Sequence, residues 1–272
     1  MKQTLLSLIG VGFLAFLPGP QPAARAAELK PRTVEAFDAY MRTAEQRLQK
    51  QIKDGPFLWM DGAPARVQQV RQGQTVVGPW TGKGEIEITG GLIHDWVGAV
   101  FIPGATLDGV LALVQNYDND KNIFKPEVVD SKLLSRNGDD FTVYLRLLKK
   151  KVLTVVLNTR HDVRYVRLDP THCYSRSYSA RIAEVENPGE PGERELAPGR
   201  DQGFLWRLNS FWRFEERDGG VYLECEAISL TRDVPTGLGW LIDPIIRALP
   251  RDSLTNTLNS TNRAVQAVAP RR

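Results

Sequence analysis

Residues that form crosslinks or bind metals are scarce in this chain. Its 272 residues contain two cysteines and three histidines. Cys173 and Cys225 are far apart and lack the CxxC spacing of redox and zinc sites. His94, His161 and His172 lack the i, i+4 spacing that places two metal ligands on one helix face. We therefore expect no metal and no other cofactor.

Motifs of the common enzyme classes are also absent. The sequence has no GxSxG motif, no glycine-rich phosphate loop and no dinucleotide fingerprint. His94 and His161 each precede an aspartate, and neighbouring residues of a strand point to opposite faces. We predict three surface or turn histidines, none of them on a sheltered face, and no catalytic residue.

Long apolar runs are confined to the N-terminus. After the basic start Met1-Lys2, residues 5–17 are mostly apolar, and Ala24-Arg25-Ala26 provides small residues at the usual cleavage spacing. The run is shorter than the roughly 20 residues of a membrane span, and no cysteine for a bacterial lipid anchor lies nearby. We expect residues 1–26 to be a cleaved signal peptide and the protein to be periplasmic or secreted.

Excess charge of one sign is lacking as well. Removal of residues 1–26 takes away Lys2 and Arg25, which leaves 33 of the 35 basic residues beside all 32 acidic residues. This balance provides no electrostatic attraction to nucleic acid or to an anionic membrane surface. We expect no nucleic-acid partner and at most transient membrane contact, and the sequence indicates no particular protein partner.

Residues 204–232 form the most regular pattern in the chain. Two alternating apolar runs flank Asp218-Gly219-Gly220, which indicates a long hairpin with one covered face. A turn at Asp218-Gly219 pairs Phe214 with Leu223, Trp212 with Cys225 and Ser210 with Ala227, and a turn at Gly219-Gly220 preserves the same faces. If the preceding strand carries Cys173, one strand lies between the two cysteines. We therefore expect two free, half-buried thiols, because two strand spacings exceed disulfide reach.

The remaining pattern predicts an α+β fold. We predict an exposed helix at residues 33–53 capped by Thr33, an irregular extension to residue 83, one strand at 85–103 with a bend at Gly90-Gly91, and a helix at 106–117. Strands follow from residue 128 to the hairpin. A short apolar helix at 240–249 precedes a second helix at 252–268, whose apolar face is formed by Leu254, Leu258, Thr261, Val265 and Val268.

Consecutive antiparallel strands must bury one face, and the last helix is the available cover. We therefore expect a curved sheet of about seven strands that grips this helix. This order resembles the START-like (SRPBCC, polyketide cyclase/lipid-transport) helix-grip superfamily over residues 84–268. The resemblance is carried by stretches at 102–111, 116–118, 213–214, 219–222 and 229–235. It implies a helix-grip domain at 84–268 with a cavity for an apolar ligand. Together with the signal peptide 1–26 and an N-terminal extension 27–83, which has no counterpart in the family pattern, this domain gives three segments.

The inward-facing residues are candidates for the lining of such a cavity, although a filled core explains them equally well. They are Trp206, Ser210, Trp212, Phe214, Leu223, Cys225, Ala227, Phe141, Val143, Leu145, Leu254 and Leu258. On the opposite face of the hairpin we predict Glu224 and Glu226 as a solvated carboxylate pair, answered by Arg207, Arg213 or a lysine.

We expect a protein that binds a lipid or another apolar small molecule between the sheet and the C-terminal helix. Two alternatives remain open. A cyclase or hydrolase on the same fold needs convergent polar groups inside the sheet, where the alternation places little beyond Ser210. A structural or interaction domain needs only a filled core. The sequence favours a binding protein over an enzyme.

Overall fold

The structure, a computed structural model, describes residues 28–150, 154–233 and 239–268, so the predicted signal peptide lies outside the described residues. The helices are α1 (Pro31–Asp54), α2 (Pro64–Arg71), α3 (Leu107–Val114), α4 (Asp120–Ile123) and α5 (Gly239–Val268). The strands are β1 (Val76–Pro79), β2 (Glu85–Ile88), β3 (Gly91–Pro103), β4 (Val128–Asn137), β5 (Asp140–Lys150), β6 (Thr154–Arg167), β7 (His172–Glu186), β8 (Arg194–Glu195), β9 (Arg207–Arg217) and β10 (Gly220–Thr231).

The strands form one curved antiparallel sheet in the order β1-β3-β10-β9-β7-β6-β5-β4, with β2 added to β3 and β8 added to β7. Helix α5 contacts β3, β10, β1 and α3. We call the side of the sheet that contacts α5 the α5 face, and the opposite side, which packs against α1, the α1 face. Seven of the ten strands are the predicted ones, and the sheet and its C-terminal helix confirm the expected α+β fold.

The predicted hairpin is confirmed together with its register. β9 and β10 are joined by Asp218 and Gly219, whose φ angles of 54° and 75° are the left-handed values of a two-residue hairpin turn. Phe214 pairs with Leu223, Trp212 with Cys225 and Ser210 with Ala227. The turn lies at Asp218-Gly219, the first of the two predicted positions.

Both faces of the sheet carry a buried apolar cluster. On the α5 face, side chains of α3 and α5 pack with Val100, Phe141, Val163, Phe214 and Leu223. On the α1 face, Phe37, Met41, Ala44 and Leu48 of α1 pack with Ile93, Tyr174, Phe211, Ile228 and Leu230. The prediction that one face of the hairpin is left uncovered was therefore wrong, because the extension supplies a second apolar layer.

The N-terminal extension packs against the main domain, and two of its details differ from the prediction. Thr33 does not cap α1, since the cap residue is Lys30 and the buried Thr33 hydroxyl donates to the carbonyl of Thr89 at 2.7 Å. The predicted single strand at 85–103 is instead a hairpin of β2 and β3, in which Ile88 pairs with Gly91. Gly90 has a φ of 74°, so it reverses the chain rather than bending it.

Helix α5 is continuous from Gly239 to Val268, so the prediction of two separate helices was wrong. Pro250 lies inside it. A proline removes one backbone hydrogen bond, but burial of Leu254, Leu258 and Val265 against the sheet stabilises the helix after that position. Val268, predicted on the apolar face, is 70% exposed.

Candidate functional site

A cavity of about 390 Å³ opens on the α5 face beside α3. Its wall is formed by Asp108, Leu111, Ala112 and Gln115 of α3, Asp139 of the β4–β5 turn, Tyr165 and Arg167 of β6, and Cys173 of β7. Leu111, Tyr165 and Cys173 also belong to the buried cluster of the α5 face. The cavity therefore extends from the protein surface to the apolar core.

Five aromatic side chains connect this cavity with the centre of the α5 face. The ring centroids of Tyr117 and Phe141 are 5.5 Å apart, those of Phe141 and Tyr165 are 5.5 Å apart, and those of Tyr165 and Phe214 are 6.4 Å apart. Trp212 stacks on Phe214 at 6.2 Å. We call these five residues the aromatic row. Such rings provide large apolar contact areas and favourable edge-to-face geometry.

Two members of the aromatic row form a buried hydroxyl pair. The Oη atoms of Tyr117 and Tyr165 are 2.9 Å apart, and both residues are buried. Burial raises the pKa of both phenols, so both keep their protons at neutral pH. The pair holds two protons, of which its mutual hydrogen bond uses one. We call Tyr117 and Tyr165 the tyrosine pair.

Asp120 lies beside the tyrosine pair at the start of α4. Burial raises the pKa of its carboxyl to about 8, and the nearby charge of Asp118 adds to this effect. The Asp120 charge in turn raises the pKa of Tyr117 and Tyr165. At neutral pH a protonated Asp120 is therefore favoured, and the tyrosine pair has no strong anion behind it.

His161 contradicts the prediction that no histidine reaches the sheltered face. It pairs with Val143 across β5 and β6, which places both side chains on the α5 face. Burial lowers its pKa to about 4, so the imidazole is neutral at pH 7. Thr159 donates to the carbonyl of Leu145 at 3.0 Å, so His161 Nε2, 3.1 Å from the Thr159 hydroxyl, is the donor between them.

The other histidines lie elsewhere. His94 is buried rather than at the surface, with Nε2 3.2 Å from the hydroxyl of Thr231. His172 lies at a turn, as predicted, with Nδ1 3.0 Å from a carboxylate oxygen of Asp169. Buried histidines were missed because the sequence does not reveal which strand pairs they belong to.

Both cysteines are free, as predicted, because β9 lies between the strands that carry them. They are fully rather than half buried, at 1% and 3% exposure for Cys173 and Cys225. Burial raises the pKa of Cys173 to about 11 and also raises the pKa of Cys225. Both are neutral thiols at pH 7, which makes them poor nucleophiles.

Ten of the twelve predicted lining residues lie in the apolar cluster of the α5 face or pack against it. They are Phe141, Val143, Leu145, Trp212, Phe214, Leu223, Cys225, Ala227, Leu254 and Leu258. Ser210 is half buried and pairs with Ala227. Trp206 packs instead with the cluster on the α1 face, because it precedes β9 and lies outside the strand alternation.

None of these twelve residues belongs to the wall of the cavity near α3. The predicted lining residues come mainly from the β9–β10 hairpin, whereas this wall is formed by α3, the β4–β5 turn, β6 and β7. Two signals were present. Tyr117 lies in the stretch 116–118 that supports the fold resemblance, and Tyr165 shares the alternation of His161 and Val163 along β6.

On the α1 face, Glu224 and Glu226 are completely buried, so the prediction of a solvated carboxylate pair was wrong. The expected partner is present, since Arg213 Nε donates to Glu224 Oε1 at 2.8 Å. The extension adds two further donors, because the backbone N–H groups of Trp59 and Met60 bind the same carboxylate at 2.8 and 3.1 Å.

Glu226 and Asp95 complete this arrangement with a partner from α1. Arg47 Nη2 contacts Glu226 and also donates to Asp95 at 3.0 Å. Arg213 Nη2 lies 3.6 Å from Glu226, and the Tyr40 hydroxyl donates to Asp95 at 2.7 Å. Burial and the charge of Glu226 raise the pKa of Asp95 to about 7. We call Arg47, Asp95, Arg213, Glu224 and Glu226 the buried charge network.

A smaller cavity of about 280 Å³ lies on the α1 face. Its wall consists of Asp38, Met41, Arg42 and Glu45 of α1, Tyr178 of β7 and Asn209 of β9. The Tyr178 hydroxyl donates to Glu45 at 2.7 Å, so a hydrogen bond between β7 and α1 already crosses this cavity. Tyr174 and Tyr178 both pack with the apolar residues of α1.

Within residues 28–150, 154–233 and 239–268, no cluster of histidine, cysteine and acidic residues has the arrangement of a metal site. No helix in these ranges combines the length and apolar character needed to cross a membrane.

No family model and no curated protein matches the chain. Among solved structures it is similar to a protein from Thermus thermophilus, at 14% identity and a TM-score of 0.47 over 64% of this chain and 97% of that chain. It is also similar to a STAR-related lipid transfer protein fragment from Xanthomonas axonopodis (15% identity, TM-score 0.43, 69% and 99% covered) and to the Zhui aromatase/cyclase from Streptomyces sp. R1128 (15%, 0.41, 64% and 94%).

These similarities concern the fold alone. The architecture itself, a curved antiparallel sheet with a long C-terminal helix against one face, is that of a helix-grip fold. The predicted helix-grip architecture is therefore confirmed.

Proposed function

We propose that the protein binds a small apolar molecule in the cavity on its α5 face. The observation that carries this proposal is the cavity of about 390 Å³, with the aromatic row behind its opening. Its volume is within the range of about 300–1,000 Å³ that ligand pockets occupy. Burial of apolar surface drives such binding at about 25 cal/mol per Å², less the cost of ordering the ligand.

The groups in the cavity wall favour binding over catalysis. Cys173 of the wall keeps its proton at neutral pH, and His161, which lies outside the wall, hydrogen-bonds to Thr159 rather than to a nucleophile. Nucleophilic catalysis requires a base within hydrogen-bond reach of the nucleophile. A binding protein needs only the shape and the apolar surface that these residues provide.

The binding proposal is tested by titrating the protein with N-phenyl-1-naphthylamine, an uncharged probe that fluoresces in apolar surroundings. We expect saturable binding at one site. Ala112 is an exposed residue of the cavity wall, so Ala112→Trp fills the opening without disturbing the core. This variant should bind the probe at least about tenfold more weakly.

Asn116→Trp is the matched control, because Asn116 is exposed just after α3 and is not part of the cavity wall. It should bind the probe as the wild type does. Unchanged binding by Ala112→Trp, or no saturable binding by the wild type to this probe or to a fluorescent fatty acid, would contradict the proposal.

We further propose that the protein is exported and acts in the periplasm or outside the cell. The support for this is the basic, apolar and small-residue pattern of residues 1–26. Mass spectrometry of the protein recovered from an expressing bacterium should show a mature chain that begins near residue 27. An intact N-terminus in the cytoplasmic fraction would contradict export.

A further inference from the structure

We propose that the ligand is a ring-bearing molecule with an uncharged acceptor oxygen, such as a ketone, and that the tyrosine pair donates a hydrogen bond to this oxygen. This inference rests on the proposed binding function and specifies the chemical class of the ligand. It follows from the proton count of the pair, the shape of the site and the charges around it.

The proton count leaves one donor available. Tyr117 and Tyr165 together carry two hydroxyl protons, and the contact between their Oη atoms at 2.9 Å uses one of them. Within the described residues, neither of these hydroxyl groups makes a hydrogen bond to any other group. Tyr165 lies in the cavity wall and Tyr117 packs beside it. When Tyr117 donates to Tyr165, the Tyr165 proton is available to an acceptor in the cavity.

The shape of the site favours a ring system over two acyl chains. The cavity volume of about 390 Å³ is near the lower end of the range for ligand pockets. Tyr165 is the member of the aromatic row in the cavity wall, and Phe141 meets its ring edge to face behind the wall, with an interplanar angle of 71°. Aromatic ligands gain specific contacts from this geometry that acyl chains do not.

The charges around the cavity disfavour an anionic ligand. Its wall contains two carboxylates, Asp108 and Asp139, and one cation, Arg167. Arg167 already contacts Asp108 at the opening. An ionised carboxylate placed deep in the cavity would lose its hydration without gaining a free cation in this wall. A ketone oxygen accepts one hydrogen bond and carries no net charge.

The test compares three naphthalenes of similar shape by displacement of N-phenyl-1-naphthylamine. They are 2-acetylnaphthalene, 2-ethylnaphthalene and 2-naphthoate, which carry a neutral acceptor, no acceptor and an anionic acceptor. The wild type should bind the ketone about tenfold more tightly than the alkyl compound, as expected for one buried hydrogen bond. It should bind the naphthoate most weakly.

Tyr165→Phe removes the donor and keeps the ring. In this variant the preference for the ketone over the alkyl compound should disappear. Tyr144→Phe is the matched control, because it removes a tyrosine hydroxyl outside the cavity wall. Tyr144 lies on the same strand as Phe141 and Val143 but on the opposite side of the sheet, and its hydroxyl donates to Asn158 at 3.0 Å. It should retain the tenfold preference.

A spectroscopic measurement separates hydrogen bonding from altered packing. The C=O stretch of bound 2-acetylnaphthalene should lie at lower wavenumber in the wild type than in Tyr165→Phe. Equal affinities of the wild type for ketone and alkyl compound, or tighter binding of naphthoate, would overturn this inference and leave the binding proposal intact. Failure of all three naphthalenes and of the probe to bind would overturn both.

Discussion

The two faces of strand β10 bury different chemistry. Leu223 and Cys225 point to the α5 face, where they pack with apolar and aromatic side chains. Glu224 and Glu226, which alternate with them, point to the α1 face and are equally buried. Alternation along a strand therefore identifies which residues share a face, but it does not identify which face is exposed to water.

The α1 face can bury charge because each carboxylate has partners there. Glu224 accepts hydrogen bonds from Arg213 and from two backbone N–H groups, and Glu226 contacts Arg47. On the α5 face the buried polar groups described above, the tyrosine pair and His161, are uncharged at neutral pH, and the charged residues of the cavity wall, Asp108, Asp139 and Arg167, are exposed. The proposed ligand site therefore lies on the face where these buried polar groups carry no charge.

The largest expected effect comes from removing the central cation of the α1 face. Arg213→Met leaves Glu224 without its ion partner in a fully buried position. The free energy of unfolding should fall by about 3–5 kcal/mol, the usual cost of an uncompensated buried charge. Urea denaturation followed by circular dichroism measures this change.

Arg207→Met is the control for Arg213→Met. Arg207 lies on the same strand with the same alternation, but its Nη1 donates to the carbonyl of Trp206. Its replacement should change the free energy of unfolding by less than about 1 kcal/mol. A loss of similar size in both variants would show that the buried charge network contributes no more than an ordinary surface arginine.

The next largest effect should come from the α5 face. Leu258 of α5 is fully buried against the sheet, so Leu258→Ala should lower the free energy of unfolding by about 2–4 kcal/mol. Val268→Ala, in the same helix at a position that is 70% exposed, should change it by less than about 0.5 kcal/mol. Equal effects in thermal unfolding would contradict the packing of α5 described above.

Acid should introduce a charge on the α5 face through His161. Its pKa is about 4 in the folded protein and about 6.5 in the unfolded chain, so the unfolded chain binds the extra proton first. The contribution of His161 to the free energy of unfolding is therefore complete above pH 6.5. It decreases by about 2–3 kcal/mol as the pH falls toward 4.

His161→Gln tests this pH dependence, because glutamine can donate to Thr159 but does not titrate. Between pH 6.5 and pH 4, the variant should lose about 2–3 kcal/mol less of its free energy of unfolding than the wild type. Parallel curves for wild type and His161→Gln would contradict a buried neutral imidazole.

The smallest expected effect tests whether Trp80 stabilises the α1 face through cation–π contacts with two arginines. The Arg47 guanidinium lies 4.3 Å from the centroid of a Trp80 ring, and that of Arg213 lies 5.7 Å away. Trp80→Leu should lower the free energy of unfolding by about 1 kcal/mol more than Trp80→Phe, which keeps an aromatic face. Equal losses in urea denaturation would show that Trp80 acts through packing alone.

Local patterns explain what was predictable. The hairpin register followed from Asp218-Gly219 and strict alternation, and the free thiols followed from strand order. The β2–β3 turn and the continuity of α5 were missed, because Gly90 fits a bulge as well as a turn and Pro250 fits a helix start as well as an interior. In both cases the tertiary contacts select between two locally acceptable conformations.

The candidate site was less predictable than the fold. Tyr117 and Tyr165 lie far apart in the chain, and their hydroxyl contact depends on how the turn after α3 meets β6. Likewise, the side of the sheet that His161 faces depends on its pairing with Val143. Neither relation leaves a periodic signal within one segment.

The sequence by itself determined which residues alternate, where the β9–β10 hairpin turns and which helix covers the α5 face, because these properties depend on neighbours within a few residues. The tertiary structure alone decided that α1 buries Glu224 and Glu226 and that the tyrosine pair stands at a cavity. These features bring together segments that are distant in the chain, and burial depends on all of the elements that surround a residue.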